Sequence, residues 1–472
     1  MLAQHDSLAD GPHVAGSAAQ LAATAPPSPI ADPSRATASP ARGSNPSRPQ
    51  PSASTNTQHA GRDPTRRSYS LAHESSKREP ARTHTDTWAS PCVASMRTDE
   101  PVRRRRLRYG RTMSLVEHAR SLAATLPTRR AAHDAARQLD PEVITELRAT
   151  GLFGCLLPRE LGGSELDPAS YVELLETLAT GDAATAWVVM TASTSTLLAP
   201  YLDKATATAI WTPHSADGAT NAPVLAGVFA PSGKLVDGTL TGRWAYASGC
   251  RHAAWFALGA LADRHHVVCF VPARDVQIVD NWDTLGLAGT GSHDVVVEAR
   301  AVSSAHVTSV FDRAPWATGA LYQVPLFGLL AAGIAACGLG IARAALGHAA
   351  AKLASEREVP SPQLARYATL RADLDGARAY LRATCTRAAR GPVDGVMRGE
   401  LRLAASATAH RCAEVVRGAF HLGGGAAART GHPLGNALRD IETVLTHRMV
   451  VDRVLPAAAR AILGLGAIPP DL

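Results

Sequence analysis

Between residues 224 and 302 the spacing of apolar residues changes from the helical period to a period of two, and it changes back by residue 321. Within that block, short strands alternate with Gly, Pro and Asp turns: 224–229, 234–236, 239–247, 255–261, 266–271 and 294–302, with Pro231-Ser232-Gly233 read as a hairpin turn. Before it, Ser114 and Glu117 form a capping-box pattern that opens an amphipathic helix to about Leu139, and Pro141 opens another over 141–150. Gly151 and Gly154 end that helix, and further helices are predicted at 168–180, 182–198 and 203–212. After the block come helices at 321–354, 361–390, 396–421 and 434–464, punctuated by Pro360, Pro392 and Pro433. The order is helices, then strands, then a long helical stretch. It predicts an α+β chain, mainly α, with domains at 113–219, 220–308 and 309–472.

Residues 1–112 are different. They are rich in Pro, Ser, Ala, Thr and Arg and lack either period. Such a composition predicts a disordered basic tail, or else an upstream extension of a chain that starts at Met113. The net charge of +7 lies wholly in this tail, which holds 16 Arg/Lys and 9 Asp/Glu, whereas residues 113–472 hold 32 of each. The remainder is therefore neutral, which removes the electrostatic argument for a nucleic-acid partner. Seven cysteines, an odd number with no CxxC pair, predict a reducing, cytoplasmic setting without a disulfide framework. Residues 314–342 carry no charged side chain, but Gly and Ala dominate them, so a buried helix is expected rather than a membrane span. His421, His432 and His447 lack metal-ligand spacing, and no metal site is expected.

Several local patterns recur in a telling order. They are Leu157-Pro158-Arg159-Glu160-Leu161-Gly162-Gly163, Gly181 to Trp187, Gly242 to Cys250, Leu285 to Asp294, and Gly340 to Ala345. Together they resemble the acyl-CoA dehydrogenase superfamily over about 115–465. That resemblance implies an N-terminal helical domain, a central β-barrel domain and a C-terminal four-helix bundle, assembled as a homotetramer through the Ala/Gly-rich bundle helix. Dehydrogenases of this family need a carboxylate base, drawn from the loop before the last helix or from the start of the bundle. Neither His421–Arg439 nor Arg313–Ser355 contains an Asp or Glu. The family's Arg-x-x-Phe-Gly signature is also broken, its nearest match being Arg357-Glu358-Val359-Pro360.

The remaining marks resemble the branch of two-component flavin-dependent monooxygenases. These are the Trp244-to-Gly249 strand, the Thr290-Gly291-Ser292 hairpin, and Arg439-Asp440 followed by His447. The resemblance implies hydroxylation of an aromatic or polycyclic small molecule by O2 and reduced FMN, with FAD or FADH2 as the alternative, supplied by a separate NAD(P)H flavin reductase. It assigns catalytic roles to His447 and Ser248, with Ser248 near the flavin N5 and His447 near the flavin hydroperoxide or the substrate hydroxyl. An imidazole with a pKa near 6.5 serves as hydrogen-bond donor or as base. The resemblance assigns flavin contacts to Tyr246, Ser248, Gly249, Arg357, Gly423 and Gly424, and substrate contacts to Trp187, Ser195, Thr290 and Ser292. Helical spacing puts Arg439, Thr443 and His447 on one face, and Asp440 is expected to pair with Arg439 or a neighbouring helix. One departure is that 191–196 holds hydroxyl residues where many oxygenase relatives carry a His. The alternatives are an FAD-dependent acyl-CoA dehydrogenase with its base elsewhere, and a catalytically silent binding subunit.

Overall fold

The computed structural model describes residues 113–212 and 222–472. The expected basic tail, Cys92 and the 219/220 domain boundary lie outside those residues. The N-terminal helices are α1 (Leu115–Thr125), α2 (Arg130–Ala136), α3 (Pro141–Ala149), α4 (Pro168–Gly181), α5 (Ala183–Thr196) and α6 (Lys204–Trp211). The capping box is present: Ser114 Oγ accepts from the Glu117 N–H at 3.2 Å, and the Glu117 carboxylate accepts from the Ser114 N–H at 2.7 Å. The single helix expected to Leu139 is two, because Pro127 sits in a 3-10 turn at Leu126–Thr128 and cannot continue α1. Asp140, Asp167 and Asp182 cap α3, α4 and α5. All of α5 except Thr191 is buried, which is why it shows no polar stripe.

The strands are β1 (Leu225–Val236), β2 (Thr239–Ala247), β3 (Trp255–Ala262), β4 (His265–Pro272), β5 (Gln277–Val279), β6 (His293–Ala301) and β7 (Val307–Thr308). They form one sheet in the order β5-β6-β2-β1-β3-β4-β7, in which β1 and β3 are parallel and the other neighbours antiparallel. Its end strands β5 and β7 do not pair, so the sheet is open and the expected β-barrel is not closed. The hairpin turn expected at Pro231–Gly233 is also absent. The chain continues as β1 and carries a bulge between Val228 and Gly233, where the missing N–H of Pro231 breaks no ladder. Trp244, fully buried, donates its indole N–H to the Gly259 carbonyl at 2.7 Å, and its ring packs against Gly233 and Gly242.

The C-terminal helices are α7 (Leu326–Ala354), α8 (Ser361–Ala388), α9 (Gly395–Leu422), α10 (Pro433–Leu445) and α11 (Leu455–Ile462). The helix expected over 434–464 is broken. α10 stops at Leu445, and the chain turns before α11, whose first turn holds Pro456. One continuous helix would carry that proline in its interior. His447 therefore lies in the turn after α10, not on a helical face with Arg439 and Thr443. By length and composition α7 could cross a membrane, but 89% of its most apolar window is buried inside this chain. Its small residues meet the chain's own helices: Gly333 packs on Met190, Tyr171 and Leu175, and Gly340 on Ala179 and the Glu176 carbonyl of α4.

A methyl group at Gly340 has no room beside that carbonyl. Gly340→Ala is expected to lower stability by about 1–3 kcal/mol, read as a drop in the thermal midpoint. An unchanged midpoint would contradict the close α4–α7 contact.

Candidate active site

A cleft of about 1200 Å³ opens between α5, the sheet, the 282–292 loop and the turn after α10. Each wall is shaped by a local break in regular structure. β2 loses register with β6 between Trp244 and Ala247, and Tyr246 there takes φ +67°, a left-handed conformation uncommon outside glycine. The Tyr246 ring is thereby turned outward, 70% exposed, and meets Trp282 edge to face with ring centroids 6.1 Å apart. The β1 bulge supplies Phe229, Ala230 and Pro231. The 282–292 loop holds two left-handed residues, Leu287 at φ +56° and Gly291 at φ +53°.

A row of hydrogen bonds runs along one wall. The Trp187 indole N–H donates to Ser248 Oγ at 3.1 Å. Ser248 and Ser292 are linked through their hydroxyls at 2.7 Å, as are Ser292 and Thr290. Thr290 then donates to the Leu287 carbonyl at 2.8 Å. All four side chains are buried. His447 stands beside the row, its ring edge-on to Trp187 at 5.7 Å. Its Nδ1 accepts from the Met449 N–H at 3.3 Å, which leaves Nε2–H as the donor of the neutral ring. Burial, with the Arg448 and Arg402 charges adding to it, pushes the imidazole down to about 4. The ordinary value near 6.5 expected from the sequence is thus corrected. At neutral pH the ring is uncharged and a weak base, well suited to donate a hydrogen bond.

The loop behind the row is held by a buried ion pair. Asp440 accepts from both terminal nitrogens of Arg130, at 2.6 and 3.0 Å, and from the Leu287 N–H at 2.9 Å. Its partner is therefore Arg130 on α2 and not the adjacent Arg439. The Leu287 carbonyl takes the Trp282 indole N–H at 3.3 Å in addition to Thr290.

Of the residues expected at the site, Trp187, Tyr246, Ser248, Thr290, Ser292 and His447 line this cleft, drawn from segments up to 260 positions apart. The others do not line it. Ser195 is buried behind Gly227 and donates to the Thr191 carbonyl, while Thr191 and Thr194 face the cleft instead. Gly249, at φ +72°, shapes the turn behind Ser248. Arg357 is exposed beyond the end of α7, and Gly423 and Gly424 lie at the end of α9. Sequence reasoning missed Trp282 and the 229–231 bulge, for which no motif signalled a site. It also missed the cleft carboxylates, each of which is engaged: Glu442 by Arg417 at 2.8 and 3.0 Å, Asp312 by Ser309 at 2.9 Å, and Asp471 by Arg448 at 3.4 Å. The six described cysteines are free and buried. Among the described residues no group of three His, Cys, Asp or Glu converges as a metal set.

Comparison with known proteins places these features in a family context. Residues 112–209 match the model of the acyl-CoA dehydrogenase N-terminal domain, and residues 332–452 that of the C-terminal domain. The chain is 29% identical over 358 residues to indole-3-acetate monooxygenase of Pseudomonas putida, covering 71% of this chain and 90% of that protein. It is 32% identical over 230 residues to the oxygenase component of the FADH2-dependent resorcinol hydroxylase of a Rhizobium species, 45% of this chain and 54% of that one. The crystal structure of 3-HSA hydroxylase from Rhodococcus sp. RHA1 shares the fold, with a TM-score of 0.71 and 24% identity over 76% of this chain and 100% of that chain.

The depressed His447 pKa carries a pH signature. The unfolded chain takes up a proton near pH 6.5 that the folded chain refuses until about 4. The contribution of this group to stability is therefore complete above about pH 6.5 and is lost as the pH falls towards 4. His447→Gln is expected to flatten the fall of the thermal midpoint between those values, with His252, also held near 4, keeping part of the slope. Parallel curves for variant and wild type would contradict the shift.

Proposed function

Since this chain belongs to the acyl-CoA dehydrogenase superfamily, matched in both flanking helical regions, we propose that it is the oxygenase component of a two-component flavin-dependent monooxygenase. It takes reduced FMN or FADH2 from a separate NAD(P)H flavin reductase and hydroxylates an aromatic or polycyclic small molecule with O2, in the cytoplasm. The observation that carries this reading is the pairing of a neutral imidazole and a row of hydroxyls in one aromatic-walled cleft whose carboxylates are all engaged. Abstraction of a proton from an acyl thioester needs a general base within hydrogen-bond reach, and arginines neutralise two of the three cleft carboxylates, Glu442 and Asp471. Glu442, the cleft acid nearest His447 in sequence, has both oxygens bonded to Arg417. The names of the relatives, an indole-3-acetate monooxygenase and a resorcinol hydroxylase, support an aromatic substrate.

The residues present fit a flavin and a substrate together. A cleft of about 1200 Å³ exceeds the roughly 300–1,000 Å³ of an ordinary small-molecule site. Tyr246 and Trp282 offer ring faces to a flat heterocycle, Ser248 meets its polar edge, and Arg264 stands on the lining as a cation for a phosphate. Bound reduced flavin supplies the electrons that activate O2. Ser248 holds the flavin edge, Trp187 and the loop exclude water, and His447 Nε2–H donates to the oxygen that is to be transferred or to the substrate hydroxyl. A homotetramer is part of the proposal. The contact is made by a surface other than the α7 stripe, which this chain's own helices cover.

His447→Ala is expected to fold and to consume O2 with a reductase and a phenolic or indolic substrate. It should release hydrogen peroxide in place of product, with product formation falling by about 10²- to 10⁴-fold. Ser248→Ala should show a milder leak. Quantifying product and peroxide separately checks both, and unchanged coupling in His447→Ala would remove this residue from the chemistry.

A further inference from the structure

At the His447 end of the cleft, three arginines meet the 470–471 segment, whose two residues line that end. Arg398 donates to the Pro470 carbonyl at 2.8 Å, Arg402 to the Asp471 carbonyl at 3.3 Å, and Arg448 faces the Asp471 carboxylate at 3.4 Å. Three cations thus share one acid, since Glu442 on the same lining is already matched by Arg417. Among the described residues, Arg398 and Arg402 bond to backbone carbonyls and a thioether, and to no carboxylate. The Nε–H of each is buried without a partner. Arg402 is 3% exposed, and its second partner is the Met449 sulfur at 2.9 Å, a weak acceptor. A guanidinium so deeply buried is ordinarily paired. Burial pulls this one down to about 10, and the Arg448 charge adds to the effect. Its partners Met449 and Asp471 both stand on the cleft lining, and the charges of Arg448 and Arg402 both act on the His447 imidazole. Arg448 and Asp471 are 49% and 46% exposed. An ion pair of that kind is worth little, so another carboxylate can take the place of Asp471.

We propose that the aromatic substrate carries a carboxylate, which binds beside His447 by taking Arg448 from Asp471, with Arg402 behind Met449 as the second cation that favours the exchange. The proposal rests on the monooxygenase reading of the cleft. Arg448 meets the ligand directly from the lining, whereas Arg402 acts through its charge and is a positioning residue. An anion held one residue from His447 sets the attached ring next to the imidazole. Asp471 keeps the empty site from standing with all its cations bare, and it gives way to a ligand that brings the same charge on a better-fitting group. A neutral aromatic leaves the excess positive charge unmatched. The expected preference for an acid over its neutral amide is about ten- to a hundredfold in Kd.

Calorimetric dissociation constants of matched acids and amides test this: benzoate, phenylacetate and indole-3-acetate against benzamide, phenylacetamide and indole-3-acetamide. Arg448→Gln and Arg402→Met are each expected to lose most of the preference for the acid. Asp471→Asn, which removes the competing carboxylate, is expected to tighten the acids by about three- to tenfold and leave the amides unchanged. Loss of a merely structural contact produces no such gain. Circular dichroism melts establish which variants are folded, and the half-exposed Arg448 and Asp471 keep the test open if Arg402→Met does not fold. Acids and amides that bind wild type equally, or not at all, or acids that Asp471→Asn weakens, overturn the proposal. A flavin phosphate has the same chemistry, so anaerobically reduced FMN and riboflavin are measured on the same proteins. If Arg448→Gln weakens FMN relative to riboflavin and leaves the acid-to-amide ratio unchanged, the anion is the cofactor's and the proposal is overturned. Coupled turnover with a reductase separates the proposal from its premise. Amides hydroxylated as readily as acids overturn the proposal and leave the monooxygenase reading standing. Selective binding of acids without an O2-dependent product from any of the six overturns the monooxygenase reading and supports the anion site.

Discussion

The carboxylate of Asp440 meets two guanidinium nitrogens of Arg130 and the backbone N–H of Leu287, in a place that is 1% exposed. The contact thus ties α2 and the 282–292 loop to α10, which carries Asp440. Taking a carboxylate out of water is expensive unless its lone pairs are filled, and here three donors fill them. The same contact holds Leu287 at φ +56°, a conformation that persists only where the surroundings impose it. Everything on the hydroxyl wall follows from that loop position: the carbonyl that Thr290 and Trp282 use, the turn at Gly291, and the placement of Ser292 against Ser248. The ion pair matters for the direction it gives its neighbours more than for net stability, since buried pairs often break even against apolar packing.

Chemistry at the site is set by what the cleft leaves free. Every carboxylate on its lining is engaged by a cation or a hydroxyl. The histidine is kept uncharged by burial and by two nearby arginines, and its tautomer is fixed by the Met449 N–H. Such a site supplies neutral hydrogen bonds from buried side chains, which suits holding a reactive oxygen species against loss, and it supplies no strong base. The dehydrogenase alternative would need Glu442 released from Arg417.

Much of this was legible in the sequence, because it depends on local rules. The change of period marked the strand block. Ser114 with Glu117, and Pro141, marked helix starts that the structure reproduces. Resemblance then gathered Trp187, Tyr246, Ser248, Thr290, Ser292 and His447, which indeed share one cleft. What escaped depends on distant partners or on small irregularities. Asp440 and Arg130 are 310 positions apart, and no local pattern joins them. Pro231 reads equally well as a turn or as a bulge, and only pairing with β3 decides. Whether a sheet closes depends on its end strands, and β5 and β7 are too short to announce themselves. Helix spacing carried His447 onto a face with Arg439, whereas α10 ends at Leu445, where no Gly or Pro marks the stop. Ser195 and Thr191 lie one turn apart on a helix buried on nearly all sides, so periodicity could not choose between them.

The central claim is that this fold, with these residues, transfers an oxygen atom from O2 to a small aromatic molecule. Isotope labelling tests it most directly. The chain, a flavin reductase, NADH and FMN are supplied with 18O2 and a panel of phenols and indoles, and the products are weighed by mass spectrometry. The account predicts a hydroxylated product carrying one 18O atom. Absence of label across the panel, together with anaerobic bleaching of bound oxidised FAD by an acyl thioester, would contradict it.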